Sequence, residues 1–261
     1  MPARPVTSPP APAPSAEPAK WLSSRISLFG PLWVTSTVGT GWPAYARIFH
    51  PLDDTPDALR WADIAHAHGH TMHAGAQWHV ISSDKAQSPF MGRGYPGDPE
   101  EGALRPHALA ALCQILKHHT ATPDRCWFAV WEGWGWMHPG AHSPLFAPGA
   151  KTKQLPQPPD EWQLDLTGPK FTLPARGYHL FTGPIQAATR TGNWLTPDSF
   201  HPQSPSLFWP DDHAWCVSTE VDRDSTLVAG TPQLIDAITA SPVLEALPIA
   251  HDEPANDTLN A

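Results

Sequence analysis

No apolar stretch of the chain exceeds six residues, the length of Cys126-Trp127-Phe128-Ala129-Val130-Trp131. A membrane-crossing helix needs about 18–20 such residues in succession, so the chain is not read as an integral membrane protein. The run is rich in aromatic and β-forming side chains and has no polar alternation. That pattern predicts a central strand covered on both faces, which requires further layers above and below it. With 41% hydrophobic residues there is material for such a core, and 261 residues allow one or two domains.

The surrounding pattern predicts what those layers are. Tyr45-Ala46-Arg47-Ile48-Phe49 alternates as a strand does. Thr55-Pro56 offers a cap hydroxyl and a proline at the first helical position, and Leu59, Ala62, Asp63 and His66 follow at helical spacing before Gly69. A second helix is expected over 106–119, with Leu109, Leu112, Cys113 and Leu116 on one face. Strands are expected at 177–183 and 214–221, with a turn at 222–225 leading into a strand at 226–229. Thr231-Pro232 repeats the cap device and opens a helix to about Ala240, and Ser241-Pro242 is expected to start another helical turn. The order β, α, α, β, several β, then α predicts an α+β fold: a mainly antiparallel sheet with helices packed on it, interrupted by long Pro-rich loops.

Residues 1–20 hold seven Pro and five Ala and no apolar block of the kind a secretory leader carries, so they are expected to form a disordered tail. The globular part is expected over 21–250 as a single domain, with 251–261 a flexible tail. Long connections fall at 82–102 and 139–176, the second with eight Pro. Three cysteines, Cys113, Cys126 and Cys216, fit a reduced, cytoplasmic protein better than a disulfide scaffold. A formal charge of −9 argues against nucleic acid as a partner.

The blocks Ala44-Tyr45-Ala46-Arg47-Ile48-Phe49-His50-Pro51, His119-Thr120-Ala121-Thr122-Pro123-Asp124-Arg125-Cys126-Trp127-Phe128 and Trp209-Pro210-Asp211-Asp212-His213-Ala214-Trp215-Cys216-Val217 resemble a family of uncharacterised actinobacterial proteins. The resemblance runs from about Phe29 to Leu247, implies a single intracellular module, and carries over no catalytic residue.

Three constellations bear on chemistry. Trp134 and Trp136, beside Gly133 and Gly135, are placed to project from the end of the central strand next to Glu132. Exposed indoles beside a carboxylate stack on rings or cations, although large aromatics are more often core. If the strand following Asp212 pairs nearby, Trp209, Asp211 and Asp212 reach the same rim and complete a Trp-lined cleft; the ordinary role of Asp211-Asp212 is a turn. Glu132 with Glu220 or Asp211 is the candidate carboxylate pair for glycoside-type hydrolysis, which needs a separation of about 5–10 Å across the sugar bond. The third group is His66, His70 and His73, candidate zinc ligands that Gly69 tends to separate and that the dipole at a helix end also explains. Nucleophile-elbow, Walker and dinucleotide-binding signatures are missing.

The leading expectation is therefore a non-catalytic binding or interaction module whose ligand residues are Glu132, Trp134, Trp136, Trp209 and Asp212. A hydrolase and a His-dependent metal binder are the alternatives. No cofactor is called for, and the expected partner is a small molecule or a protein, with neither nucleic acid nor membrane involved.

Overall fold

The computed structural model of the protein describes residues 8–27, 33–82, 98–138 and 158–253. In chain order the elements are β1 (Ala11–Pro12), α1 (Trp33–Val38), β2 (Ala44–Phe49), α2 (Trp61–Ala67), α3 (Trp78–Ile81), α4 (Pro106–Leu116) and β3 (Cys126–Trp131). Then come β4 (Lys170–Leu173), β5 (Arg176–Gly183), β6 (Gly192–Thr196), β7 (Ser199–Pro202), β8 (Leu207–Pro210), β9 (Cys216–Ser218), β10 (Ser225–Gly230), α5 (Pro232–Thr239) and β11 (Ala246–Pro248). The fold is α+β. One antiparallel sheet runs in the order β1-β5-β3-β8-β9-β10-β2-β11, β4 also pairs with β5, and β6 and β7 form a separate hairpin.

β3 lies inside this sheet, and its alternation feeds two cores. Cys126, Phe128 and Val130 enter a cluster built with α4, α5 and the 3-10 turn Ile185–Arg190, while Trp127 and Ala129 enter one built with α1 and the N-terminal segment. A strand covered on both faces has no solvent side to mark with polar residues, which is why its sequence is a continuous apolar run. A third cluster gathers Phe49, Trp61, Trp78 and Ile81 around α2 and α3.

The segment expected as a tail over 1–20 is docked where it is described. Ala11 and Pro12 pair with Thr182 and Phe181 of β5, the Ala13 N–H donates to the Leu180 carbonyl, and the 3-10 turn Glu17–Ser24 buries Ala19 and Leu22. Proline is tolerated here because an edge strand leaves some N–H positions without a ladder role. The expected loop at 139–176 yields β4 at its end, while residues 139–157 lie outside the described residues. So do 83–97 of the other long connection and 254–261 of the expected C-terminal tail.

Helix boundaries moved where a distant group supplied the cap. Thr55 does not open α2: its N–H and hydroxyl both bond Asp53 Oδ1 in a local turn. The helix begins instead at Trp61, where the Glu245 carboxylate accepts from the Trp61 and Ala62 N–H groups at 2.7 and 2.8 Å. Gly69, at φ +73°, ends that segment as expected. Ser241-Pro242 makes a turn in which Ser241 Oγ accepts from the amides of Val243 and Leu244, and no helix follows. Both α4 and α5 start at the expected prolines, and Thr231 Oγ1 accepts from the Leu234 N–H as the cap of α5. The strand expected over 214–221 is confined to Cys216–Ser218, because the Ala214 N–H is taken by Asp212 Oδ1 in the preceding turn.

Candidate functional site

The pairing of β8 with β3 decides where the expected cleft residues go. It is antiparallel, with Cys126 opposite Pro210 and Ala129 opposite Leu207. Asp211 therefore sits beside Arg125, whose carbonyl accepts its N–H, while Glu132 follows the far end of β3. Six residues of extended chain, Cys126–Trp131, lie between Arg125 and Glu132, a span of roughly 23 Å at strand rise. Trp209, Asp211 and Asp212 thus lie at the opposite end of the strand from Trp134 and Trp136, and the expected common rim does not form.

Each member of the Asp211 end has a structural occupation. Trp209 is fully buried in the core on the α1 side of the sheet. Asp211 pairs with Arg125 and accepts from Trp127 Nε1. Asp212 accepts from Thr120 Oγ1 and from the Ala121 and Ala214 N–H groups. Partial burial pushes its carboxyl upward, but these hydrogen bonds outweigh that and hold it below the usual range. It is the turn residue of the ordinary reading.

At the other end of β3 the carboxylates are divided between the faces of the sheet. Trp131 opposes Tyr178, and Arg176, two residues before Tyr178 and on its face, stacks 5.1 Å from the Trp131 ring centroid. Arg176 binds Glu220 at 2.7 Å and Asp222 at 2.7 Å. Gly177, between them, faces the other way, and a Cβ there would collide with the Glu132 carboxylate, which pairs with Lys170 at 3.0 Å. Glu132 and Glu220 therefore serve opposite faces, and Asp211 is a strand length away. Neither pairing spans a single glycosidic bond, so the expected hydrolytic pair is not assembled.

Trp134 and Trp136 are half-buried and pack against the helix-covered core. Trp134 meets Trp131 edge-on at 5.5 Å and lies tightly against Gly102. Both indole N–H groups are buried with no acceptor among the described residues. The histidines also part company. His66 is exposed in the last turn of α2, Gly69 turns the chain after it, and His70 and His73 follow in an irregular segment. Among the described residues no group of three or more His, Cys, Asp or Glu converges to hold a metal ion.

Two polar residues that the sequence reading passed over are buried in the sheet. Arg47 on β2 donates from Nη1 to the carbonyls of Ala74 and Ala76 at 2.9 and 2.7 Å, and from Nη2 to Asp224 at 3.4 Å. Its guanidinium lies within 4.6–5.7 Å of the Phe49, Trp33 and Trp61 ring centroids. Burial outweighs the ion pair on both partners, pushing Arg47 down to about 10 and the Asp224 carboxyl up. His50 spans Glu100 O and Thr226 Oγ1, at 2.5 and 2.9 Å, and burial pushes it down to about 4. The arginine was legible as a charge in an alternating strand; that the Ala74–Ala76 backbone, Asp224 and three aromatic rings would close over it was not.

An open recess lies between the loop before α2, the start of α4 and the approach to β11, its empty space of about 530 Å³ including open solvent. Phe49, Leu59, Pro242, Val243 and Leu244 supply apolar lining, with Arg60, His107 and Glu245 among the polar groups. Two of those polar groups are already engaged: Glu245 caps α2, and Arg60 donates to the Pro242 carbonyl at 2.7 Å. Leu59 is 52% exposed and Val243 43%, and they are the large apolar side chains left exposed among the described residues. Sequence spacing had assigned Leu59 to a helix face.

No family model matches the chain, and neither the curated proteins nor the solved structures contain a match to it.

Proposed function

We propose that the protein is a non-catalytic, cytoplasmic binding module that takes a small apolar molecule into the recess beside α2. The observation that carries this reading is the coincidence of Leu59 and Val243, both exposed, on the walls of one recess. Ligand sites are mostly apolar concavities with a few polar groups that fix orientation. The engagement of Glu245 and Arg60 within the fold favours binding over turnover, since neither is left to act as acid or base. Cytoplasmic residence is supported by three free, buried cysteines, and among the described residues no helix is long and apolar enough to cross a membrane.

The test is a fragment screen on methyl-labelled protein, using neutral single-ring hydrocarbons and ethers as probes. The expected result is a saturable shift of the Leu59 and Val243 methyl resonances, abolished in Leu59→Asn/Val243→Asn. Binding that leaves those methyls unmoved, binding that survives in the double variant, or no binding at all would overturn the assignment.

A further inference from the structure

Arg190 closes the 3-10 turn Ile185–Arg190, and the hairpin of β6 and β7 follows. Its guanidinium lies 5.3 Å from the Trp194 ring centroid and 4.9 Å from that of Phe200. The floor continues outward, since Trp194 meets Phe200 at 4.9 Å and Trp162 at 4.9 Å. Trp194 is fixed from behind: Gln163 donates from Nε2 to its carbonyl and accepts its N–H through Oε1, at 3.2 and 3.4 Å, taking the place of a neighbouring strand. Trp162, Trp194, Phe200 and Arg190 are all only partly buried, so the row of rings borders solvent.

Within this setting Arg190 lacks a counter-charge among the described residues. Its Nε and Nη2 are buried with no acceptor, and Nη1, outside that buried pair, has no hydrogen bond among the described residues either. Burial alone lowers its proton affinity, with no neighbouring charge acting on it. Asp160 and Glu161, in the turn that carries Trp162, are exposed and make no ion pair with it. A partly desolvated guanidinium on aromatic faces is held in place and deprived of the oxygen atoms that its fork geometry matches. Leaving a buried donor unpaired is costly, a penalty that an arriving oxyanion removes.

We propose that Arg190 is the anchor of a second ligand site, which binds a small organic anion through a carboxylate or phosphate on the guanidinium and a planar ring laid along Trp162 and Trp194. The site is independent of the recess beside α2, because the two share no residue.

Titration of the full chain with benzoate, phenyl phosphate and inorganic phosphate tests the proposal, followed by tryptophan fluorescence and by the side-chain Nε resonance of Arg190. Benzoate or phenyl phosphate is expected to bind saturably and to move that resonance, the tighter of the two identifying the oxyanion. Inorganic phosphate is expected to bind at least about tenfold more weakly, as it lacks the ring. Arg190→Met keeps the stem that packs on the rings and removes the charge, and should weaken binding by about tenfold to a hundredfold, the value of a charge-assisted hydrogen bond. Arg190→Lys should recover part of that loss. Absence of saturable binding to wild type, or equal binding by Arg190→Met, would overturn the site. An unmoved Nε resonance in wild type does so without reliance on any variant.

Discussion

Arg47 and Arg190 are both guanidiniums laid on aromatic rings, and they differ in what lies at the other edge. Arg47 has two backbone carbonyls and a carboxylate waiting for its Nη atoms, and only Nε goes without. Arg190 has no acceptor among the described residues. Aromatic stacking alone therefore says little about the role of an arginine. The acceptors do: where the fold supplies them the charge is part of the core, and where it does not the charge is available to something else.

The largest expected effect comes from breaking the first of the pair. Arg47→Met strands the Ala74 and Ala76 carbonyls and the Asp224 carboxylate, and should lower unfolding free energy by about 3–5 kcal/mol in a denaturant titration. A loss under about 1 kcal/mol would erase the distinction between the two arginines.

His50, three positions further along the chain, sharpens the same point through pH. Its folded-state proton affinity lies below that of an unfolded histidine, so below about pH 6.5 the unfolded chain takes up a proton that the native chain refuses. Stability is complete above that pH and falls by about 3 kcal/mol as pH drops toward 4. Arg47 contributes to this depression, so Arg47→Met should shrink the acid-induced loss measured by calorimetry across that window, and an unchanged loss would uncouple the two residues.

The smallest effect is expected at the second arginine. Arg190→Met removes a charge that has no acceptor or counter-charge among the described residues and keeps the stem that packs on the rings, and should leave stability within about 0.5 kcal/mol of wild type or raise it slightly. A destabilisation matching that of Arg47→Met would show that Arg190 is structural after all.

What the sequence makes legible follows from the range over which each feature is determined. α4 and α5 begin with a proline at the first turn and carry apolar side chains at helical spacing, and β2, β3 and β5 carry their own strand signal, so local pattern suffices. α2 starts where Glu245 reaches it from far along the chain, and β1 exists because β5 offers an edge. The candidate cleft failed for a similar reason. Trp209 and Trp134 both carry the composition of an aromatic rim, but the antiparallel pairing of Cys126 with Pro210 sends them to opposite ends of β3. No pattern local to either segment encodes that direction. Arg190 escaped notice because an unpaired charge is defined by the partners that do not come near it.

The place of β2 in the sheet has a consequence for synthesis. This strand hydrogen-bonds to β10 on one side and β11 on the other, both far downstream of it in the chain. On the ribosome, a nascent chain that has already emitted β2 must wait for α2 to α4 and β3 to β9 to be translated before either neighbour arrives. Throughout that interval both of its edges stay open to unwanted pairing, which makes this segment a natural client for a chaperone.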